Sequence, residues 1–565
     1  MSDPGRELVR HTIIGQRRFL IPASLFAAIH QGCEASVPLM IGVVIDRAIA
    51  PGSGPGLLWT IVVLALLFLV LTASMRLGGR LIRYATQGAA HELRVAIARR
   101  VLDTDGFTQA GSRGGVLLST ATSDAGRVGM VNAAVWTSVG AAAALVVAAI
   151  ILLNASVLLG LVVLVGLIPV VLLTRMISRP LVERSATEQA AVAHAAGVAE
   201  DMMSGLRVIK GLGAEAVALR KYVTASSTSR VAGIRAARMI ALRGGVIALL
   251  TGCFLALVAW LGAHLVADER ITVGQFVTAF TMTQFLIGPF TRITMVGTQF
   301  ARGRASATRI AAVLAEPALV STTAPTMRAE TPIRTTGSAP GIRVDDLRAP
   351  ALEGLSFDVG PGEHVAVVME NLLGAESLLR CLGRLRDPEG GRIEIDGRSL
   401  ADLGADEVRS SVLVAEHDAV LFRGTVRENI ESVTRGGEMP ARAVACTGVA
   451  TMLPGGLDVE VTERALSLSG GQRQRVVLAR ALAADSPVLV LHDPTTAVDA
   501  VTESEIAAGL SALRAGKTTI VVTTSPALLA IADRVVVVRD GRVAASGHHA
   551  GLLSDNRDYR ELVAT

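Results

Sequence analysis

At 565 residues the chain exceeds one ordinary domain of about 150 residues. It is 51% hydrophobic but only 3% aromatic, so its apolar excess lies in Ala, Val, Leu, Ile and Gly, which suits helices packed in a membrane and excludes an ordinary soluble core. Fifty-four Lys and Arg against 49 Asp and Glu give a net charge of +5, and the basic residues flank apolar runs instead of forming the stripe that nucleic acid requires, so no nucleic-acid partner is expected.

The chain opens MSDPGRELVRHTIIGQRRFL, and the apolar stretch that follows is too long and too interrupted for a signal-peptide core, so a retained first membrane span is expected. Six segments reach the ~20 apolar residues needed to cross a hydrocarbon core of roughly 30 Å. They lie near 19–45, 57–80, 130–153, 156–176, 244–266 and 272–297. Between Arg127 and Arg175 no charged residue occurs. As helix this run would be about 70 Å long, enough for two crossings that turn at Asn154, Ala155 and Ser156. Asp268, Glu269 and Arg270 mark a second tight hairpin.

Arg6, Arg10, Arg17 and Arg18 precede the first span and Arg83, Arg94, Arg99 and Arg100 follow the second, whereas the loop 46–56 holds only Arg47. The positive-inside rule then places both termini in the cytoplasm. Segments 82–128 and 178–242 are polar, largely free of Pro and rich in Ala, Arg and Glu, as expected for helices that continue into the cytoplasm. Within the first span His30, Gln31 and Glu34 cluster, with His30 and Glu34 four apart on one face. Ionisable groups are costly against lipid, so the three are candidate transport-path residues, against the plainer reading that they line a wet cavity or bond a neighbouring helix.

Residues 1–315 thus read as a transmembrane domain. Pro317, Pro325, Pro332 and Pro340 among Thr, Ser and Ala mark 316–341 as an extended linker. From 342 to 565 short β-branched runs at 364–368, 488–491, 518–523 and 534–538 alternate with helical stretches, which reads as an α/β domain. Cys33, Cys253, Cys381 and Cys446 are far apart, with no CxxC pair and no histidine at ligand spacing, so neither a disulfide framework nor a metal site is expected.

The segment LSLSGGQRQRVVLARAL at 466–482, followed by the apolar PVLVL and by DPTTAVDA, resembles the signature region of ATP-binding cassette (ABC) proteins. Six spans, a linker and this cassette resemble a half-transporter of the exporter-type fold over essentially the whole chain. GLRVIKGLGAEA at 205–216 is similar to the family's second cytoplasmic loop, where a coupling helix docks. The resemblance implies a helical membrane domain with long cytoplasmic extensions, joined to an α/β P-loop-like nucleotide-binding domain.

In that family a loop GxxGxGKST surrounds phosphate and Mg²⁺. The corresponding stretch here is VAVVMENLLGAESLLRCL. Met369 and Leu372 stand at two glycine positions, Ala375 at the Lys, Glu376 at the Mg²⁺-binding Ser and Ser377 at the position after it; only Gly374 is kept. Carboxylates beside a polyanion repel it, by about 4 kcal/mol for unit charges ~4 Å apart at an effective dielectric of 20. By the same resemblance Glu416 replaces the glutamine that senses γ-phosphate, His492 the aspartate of the second Walker motif, Asp493 the catalytic Glu and Thr524 the switch His. No Lys occurs between Gly362 and Lys517, so no shift of the alignment restores the loop. The catalytic set is incomplete, and weak or no nucleotide is expected at the chain's own site.

ABC sites form between two cassettes, and the signature serves the other chain. Ser469, Gly470 and Gly471 lead directly into a helix expected to run from Gln472 to Ala484, and with Gln472 they would face a γ-phosphate held by a partner. Asp499 matches the loop that communicates across that dimer. The expected partner is therefore a second, different half-transporter with intact Walker motifs, holding ATP and Mg²⁺, with motion passed through coupling segments near 103–108 and 211–217. The expected function is a subunit of a heterodimeric exporter for an unknown small molecule or peptide. An exporter-fold importer of a metal chelate or siderophore, and a non-transporting pseudo-ATPase scaffold, are the alternatives. The Ala- and Arg-rich composition points to a bacterial plasma membrane, crossed several times.

Overall fold

The computed structural model describes residues 3–103, 105–106, 114–320, 339–417, 419–433, 441–462, 465 and 467–563. The first coupling segment and the linker therefore lie partly outside the described residues. The chain divides into two compact units, Met1–Arg100 with Gly114–Ala315, and Val101–Arg113 with Glu316–Thr565.

The first unit is helical: α1 (Pro4–Gly15), α2 (Arg17–Val44), α3 (Gly54–Val101), α4 (Gly114–Ser119), α5 (Ala125–Ala155), α6 (Val157–Ser204), α7 (Leu206–Gly211), α8 (Glu215–Ala267) and α9 (Val273–Leu314). The six long helices α2, α3, α5, α6, α8 and α9 cover the six expected spans. With 48 residues in α3 and in α6 and 53 in α8, each of these three is about 70–80 Å long at 1.5 Å per residue. That far exceeds the roughly 30 Å of a hydrocarbon core. Among the described residues four helical stretches, Arg17–Ile49, Gly54–Val101, Gly115–Ala155 and Glu215–Ala267, are long and apolar enough to cross a membrane. The α9 helix is less apolar because it carries Gln275 and Gln284, and it bonds its threonine hydroxyls to its own carbonyls: Thr278 to Gly274, Thr281 to Val277 and Thr283 to Ala279.

Helices α2, α5 and α9 pack together and α6 pairs with α8. Small residues make this close approach possible. Where α2 meets α9, a β-carbon on Gly42 would run into the Gly274 carbonyl, and one on Gly274 would run into the Gly42 carbonyl. Beyond α2 a π turn (Ile45–Ile49) carries Asp46, which caps α9 from outside that helix: Gly274 N–H donates to its Oδ1 at 2.9 Å and Thr272 Oγ1 to its Oδ2 at 2.5 Å. Near the other end of α9, Asp124 closes the π turn (Thr120–Asp124) that leads into α5. It accepts from Arg309 at 2.8 and 2.6 Å and from Ser306 Oγ at 2.9 Å. The Asp124 side chain is 5% exposed.

The second unit holds two main sheets. Strands β1 (Ile342–Ala349), β2 (Leu352–Val359), β4 (Gly390–Ile395) and β5 (Arg398–Ser399) form an antiparallel sheet in the order β2-β1-β4-β5. Strands β3 (His364–Met369), β6 (Val412–Ala415), β9 (Val488–His492), β10 (Thr518–Val522), β11 (Arg534–Arg539) and β12 (Arg542–Gly547) form the other, ordered β12-β11-β3-β10-β9-β6 and parallel except for β12. The strands β3, β9 and β10 are buried on both faces, which is why they read as continuous β-branched runs. A short hairpin pairs β7 (Gly424–Thr425) with β8 (Glu460–Val461). Helices α10 (Leu372–Leu382), α11 (Ala405–Ser411), α12 (Val426–Glu431), α13 (Ala441–Thr447), α14 (Val449–Met452), α15 (Gly470–Ala483), α16 (Ala500–Leu513), α17 (Pro526–Ala530), α18 (His549–Asp555) and α19 (Arg557–Val563) complete the described part of the unit. Of the linker, Leu319 and Val320 donate their N–H groups to the Asp105 carbonyl at 3.1 and 3.2 Å.

Candidate nucleotide half-site and membrane cavity

Strand β3 leads through Glu370 and Asn371 directly into α10, which starts at Leu372. No wide phosphate cradle separates strand from helix. The Asn371 side chain caps α10 by accepting from Leu373 N–H at 2.9 Å, so one of the donors a phosphate would use is already taken. The Met369 terminal methyl lies 3.3 Å from where a Gly374 β-carbon would stand, filling the space beside the one kept glycine. Ala375 and Ser377 face the core of the unit, at 4% and 7% exposure. Glu376 points outward, within 3.7 Å of Arg380 one helical turn on.

The other replaced positions converge on the same end of the parallel sheet. His492, at the end of β9, is buried, and its Nε2 lies 3.8 Å from Asp493 Oδ2. Its ring meets His417 edge-on with centroids 5.1 Å apart. Burial holds the His492 imidazole below its usual range, opposed by Asp493 and, at longer reach, by Glu416 and Glu376. Thr524 follows β10 and is exposed. Asp493 itself sits in the left-handed region at φ 43°, its N–H bonded to the Val522 carbonyl. A buried imidazole at position 492, the Met369 side chain beside Gly374 and an outward Glu376 are unlike the phosphate- and metal-binding set that the family resemblance implies at these positions. Among the described residues no group of three or more His, Cys, Asp and Glu is placed to hold a metal ion.

The signature segment is built differently. Ser469 caps α15 in a reciprocal box, its Oγ accepting from Gln472 N–H at 3.3 Å while its own N–H donates to Gln472 Oε1 at 2.9 Å. The helix thus begins at Gly470, two residues before the expected Gln472, and ends at Ala483, one residue short of the expected Ala484. A β-carbon on Gly471 would lie 2.6 Å from the Ala497 carbonyl, so only glycine lets this turn lie against the DPTTAVDA loop. Gln474 locks the two together: its Nε2 donates to the Asp493 carbonyl at 2.8 Å and to Thr496 Oγ1 at 2.9 Å, and its Oε1 accepts from Ala497 N–H at 2.8 Å. Three bonds to one buried amide make Gln474→Ala costly. We expect a loss of about 1–3 kcal/mol, measured by thermal unfolding of the full-length protein. Asp499 caps α16, accepting from Thr502 N–H at 3.0 Å and Thr502 Oγ1 at 2.8 Å, and these bonds hold its carboxyl below the usual range.

In the helical unit His30, Gln31 and Glu34 come together at a cavity of 390 Å³ that Trp136, Arg292 and Met295 also line. Gln31 Nε2 donates to Glu34, Arg292 donates to Gln31 Oε1 at 3.0 Å, and His30 Nε2 lies 3.9 Å from Glu34 while its Nδ1 is 2.9 Å from the Leu71 carbonyl. The four polar side chains form one network, and Met295 and Trp136 supply apolar walls.

Residues 20–290 match the family model of the ABC transporter transmembrane region, and residues 352–496 match the model described as ABC transporter. An ATP-dependent lipid A-core flippase of Thiobacillus denitrificans is 30% identical over 398 residues, 69% of each chain. This chain belongs to the ABC transporter family. The ABC subunit is also 28% identical to an ATP-dependent lipid A-core flippase of Cupriavidus pinatubonensis over 96% of its own length and 94% of that protein. It is 31% identical to a multidrug efflux ATP-binding/permease protein of Mycobacterium tuberculosis, over 94% of this chain and 44% of that protein. Its fold matches a bacterial Atm1-family ABC exporter with ATP bound, at a TM-score of 0.74 and 23% identity over 97% and 98% of the two chains. It is a multi-pass membrane protein with an ABC ATPase domain, a domain whose chemistry uses ATP and Mg²⁺.

His30, Gln31 and Glu34 stand out along the chain, whereas Arg292 reads there only as the charge bounding a charge-free run inside the expected span 272–297. Asn371 and His417 carry no signal of their own in the sequence, and Gln474 stands within the signature segment without a role assigned to it. Arg292 was findable, being a charge within reach of an apolar run. The partners of Asn371 and Gln474 emerge only once strand and helix ends are brought side by side.

Proposed function

We propose that this chain is the non-catalytic half of a heterodimeric ABC exporter of a bacterial plasma membrane, with both termini cytoplasmic. It lends Ser469, Gly470, Gly471 and Gln472 to an ATP site whose phosphate loop and catalytic Glu belong to a different subunit. The observation that carries this reading is the contrast within one domain. The chain's own loop is capped by Asn371 and filled by Met369, while the signature turn keeps its capping box and leaves the Gly470 and Gly471 N–H groups at an exposed helix start. A homodimer would pair two such loops and have no competent site. Closure of the cassettes on the partner's ATP would drive the membrane helices between inward- and outward-facing states. The relatives' names, lipid flippase and multidrug efflux protein, support amphiphilic cargo, and the cavity joins the His30–Gln31–Glu34–Arg292 network to the apolar Trp136 and Met295.

The purified chain alone should show no Mg-dependent ATP turnover above background, and co-expression with a half-transporter that carries complete Walker motifs should restore it. Steady turnover by the chain alone would overturn the proposal. Uptake by inside-out but not by right-side-out vesicles is expected of an exporter.

A further inference from the structure

A second cavity lies where α2 and α3 leave the apolar segments at their basic ends. It has a volume of 600 Å³ and is lined by Arg18, Phe19, Arg80, Arg83, Tyr84 and Glu92 among others. Arg18 precedes the first span and Arg80 closes the second, so the cavity sits at the membrane boundary, where positive charge meets anionic lipid. Arg18 stacks over the Phe19 ring at 4.7 Å, and Phe19 stacks on Tyr84 with centroids 5.7 Å apart and planes at 27°. This gives an aromatic floor under the cations. The single carboxylate, Glu92, is engaged: its Oε1 accepts from Gln16 Nε2 at 2.9 Å, and Gln16 is buried at 4% exposure. Arg18, Arg80 and Arg83 have no ion-pair partner among the described residues. Three guanidiniums of unspent charge therefore face one pocket.

Toward the apolar side, Ile21 and Leu25 follow Arg18 at helical spacing on α2, and Leu77 precedes Arg80 and Tyr84 on α3. All three are exposed, at 67%, 61% and 44%. A polar, cationic pocket thus continues into an apolar strip in the direction of the hydrocarbon core. We infer that this cavity is a binding site for the phosphate headgroup of an anionic lipid, with Arg18, Arg80 and Arg83 on the phosphate and the acyl chain along Ile21, Leu25 and Leu77. Such a site would operate however the cassettes pair. Guanidinium is suited to it because its planar fork matches two phosphate oxygens at once.

The test is native mass spectrometry of the full-length protein with phosphatidic acid, phosphatidylglycerol or phosphatidylcholine added in turn. Wild type should retain the two anionic lipids in preference to phosphatidylcholine. Losing one arginine should weaken anionic-lipid retention about fivefold, and Arg80→Gln with Arg83→Gln roughly 25-fold, leaving phosphatidylcholine unchanged. Arg80→Lys with Arg83→Lys should keep most of the retention, which separates loss of charge from loss of fold. The assignment is overturned if the Gln pair retains anionic lipid like wild type, if the Lys pair loses it as fully as the Gln pair, or if inorganic phosphate displaces lipid, which would make the site one for free phosphate.

Discussion

Replacing Ser469 by Ala is expected to abolish ATP hydrolysis by the proposed pair, although under that proposal Ser469 belongs to the half that does not hydrolyse. Its hydroxyl and the adjoining glycine N–H groups form an exposed, donor-rich helix start. Loss of one donor positioned on a charge-bearing transition state lowers turnover by at least about 10²-fold, roughly 2.7 kcal/mol. Ser469 also caps α15, and loss of an N-cap alone costs about 0.5–2 kcal/mol of stability, so the alanine variant confounds two effects. Ser469→Asp separates them. Aspartate caps as well as serine does, yet it turns a carboxylate toward phosphate. Turnover should be lost as fully as with alanine while the thermal midpoint stays within about a degree or two of wild type. Substitutions in the chain's own pocket should do the opposite. Glu376→Ser or Asp493→Glu, each restoring a residue of the family pattern, should leave the pair's turnover unchanged within about twofold, because Met369 and Asn371 still occupy the cradle. A large change from either would show that this pocket works.

The second large effect is expected far from any nucleotide, at Asp124 and Arg309. The carboxylate is buried at 5% exposure and takes bonds from Arg309 and Ser306, while Arg309 is half exposed. The two deletions are therefore unequal. Arg309→Ala removes the main partner of a buried carboxylate, leaving it Arg127 at 3.4 Å and Ser306, and should cost about 2–3 kcal/mol, below the cost of a wholly uncompensated buried charge. Asp124→Ala releases a guanidinium that water can reach and should cost about 1–2 kcal/mol. Thermal unfolding in detergent, with the double variant to close the cycle, measures both; equal losses would refute the asymmetry. The Arg309 guanidinium, with Ser306, holds the Asp124 carboxyl below the usual carboxylate range despite its burial. A depressed carboxylate contributes stability that is fully present above its unfolded value of about 3.9 and is lost as pH falls through the lower folded value. Wild type should therefore lose more thermal stability than Asp124→Asn across that acid window.

Much of the architecture was legible from the residues alone. Charge-free runs of fixed length and the asymmetry of arginines mark the six long helices of the first unit, and continuous β-branched runs mark β3, β9, β10 and β11, because burial on both faces removes polar residues. The antiparallel sheet was less visible. In β1 and β2 buried residues alternate with exposed polar ones, so neither presents the continuous apolar run that marks β3, β9 and β10. The signature turn and the departures from the GxxGxGKST pattern were both readable, since each rests on residue identity at fixed spacing.

Contacts between distant segments were not readable. That Met369 fills the space beside Gly374, that Gln474 ties α15 to the loop after β9, and that Arg292 joins Gln31 across 261 residues depend on which helix and strand ends lie together. The same holds for the cavity of Arg18, Arg80 and Arg83, whose charges read along the chain as ordinary flanks of two spans. Sequence alone determined what each segment is, because hydropathy, charge and backbone preference act locally. Only the tertiary structure decided which charges remain unspent, because a partner's distance is set by packing between helices that the chain's order leaves open.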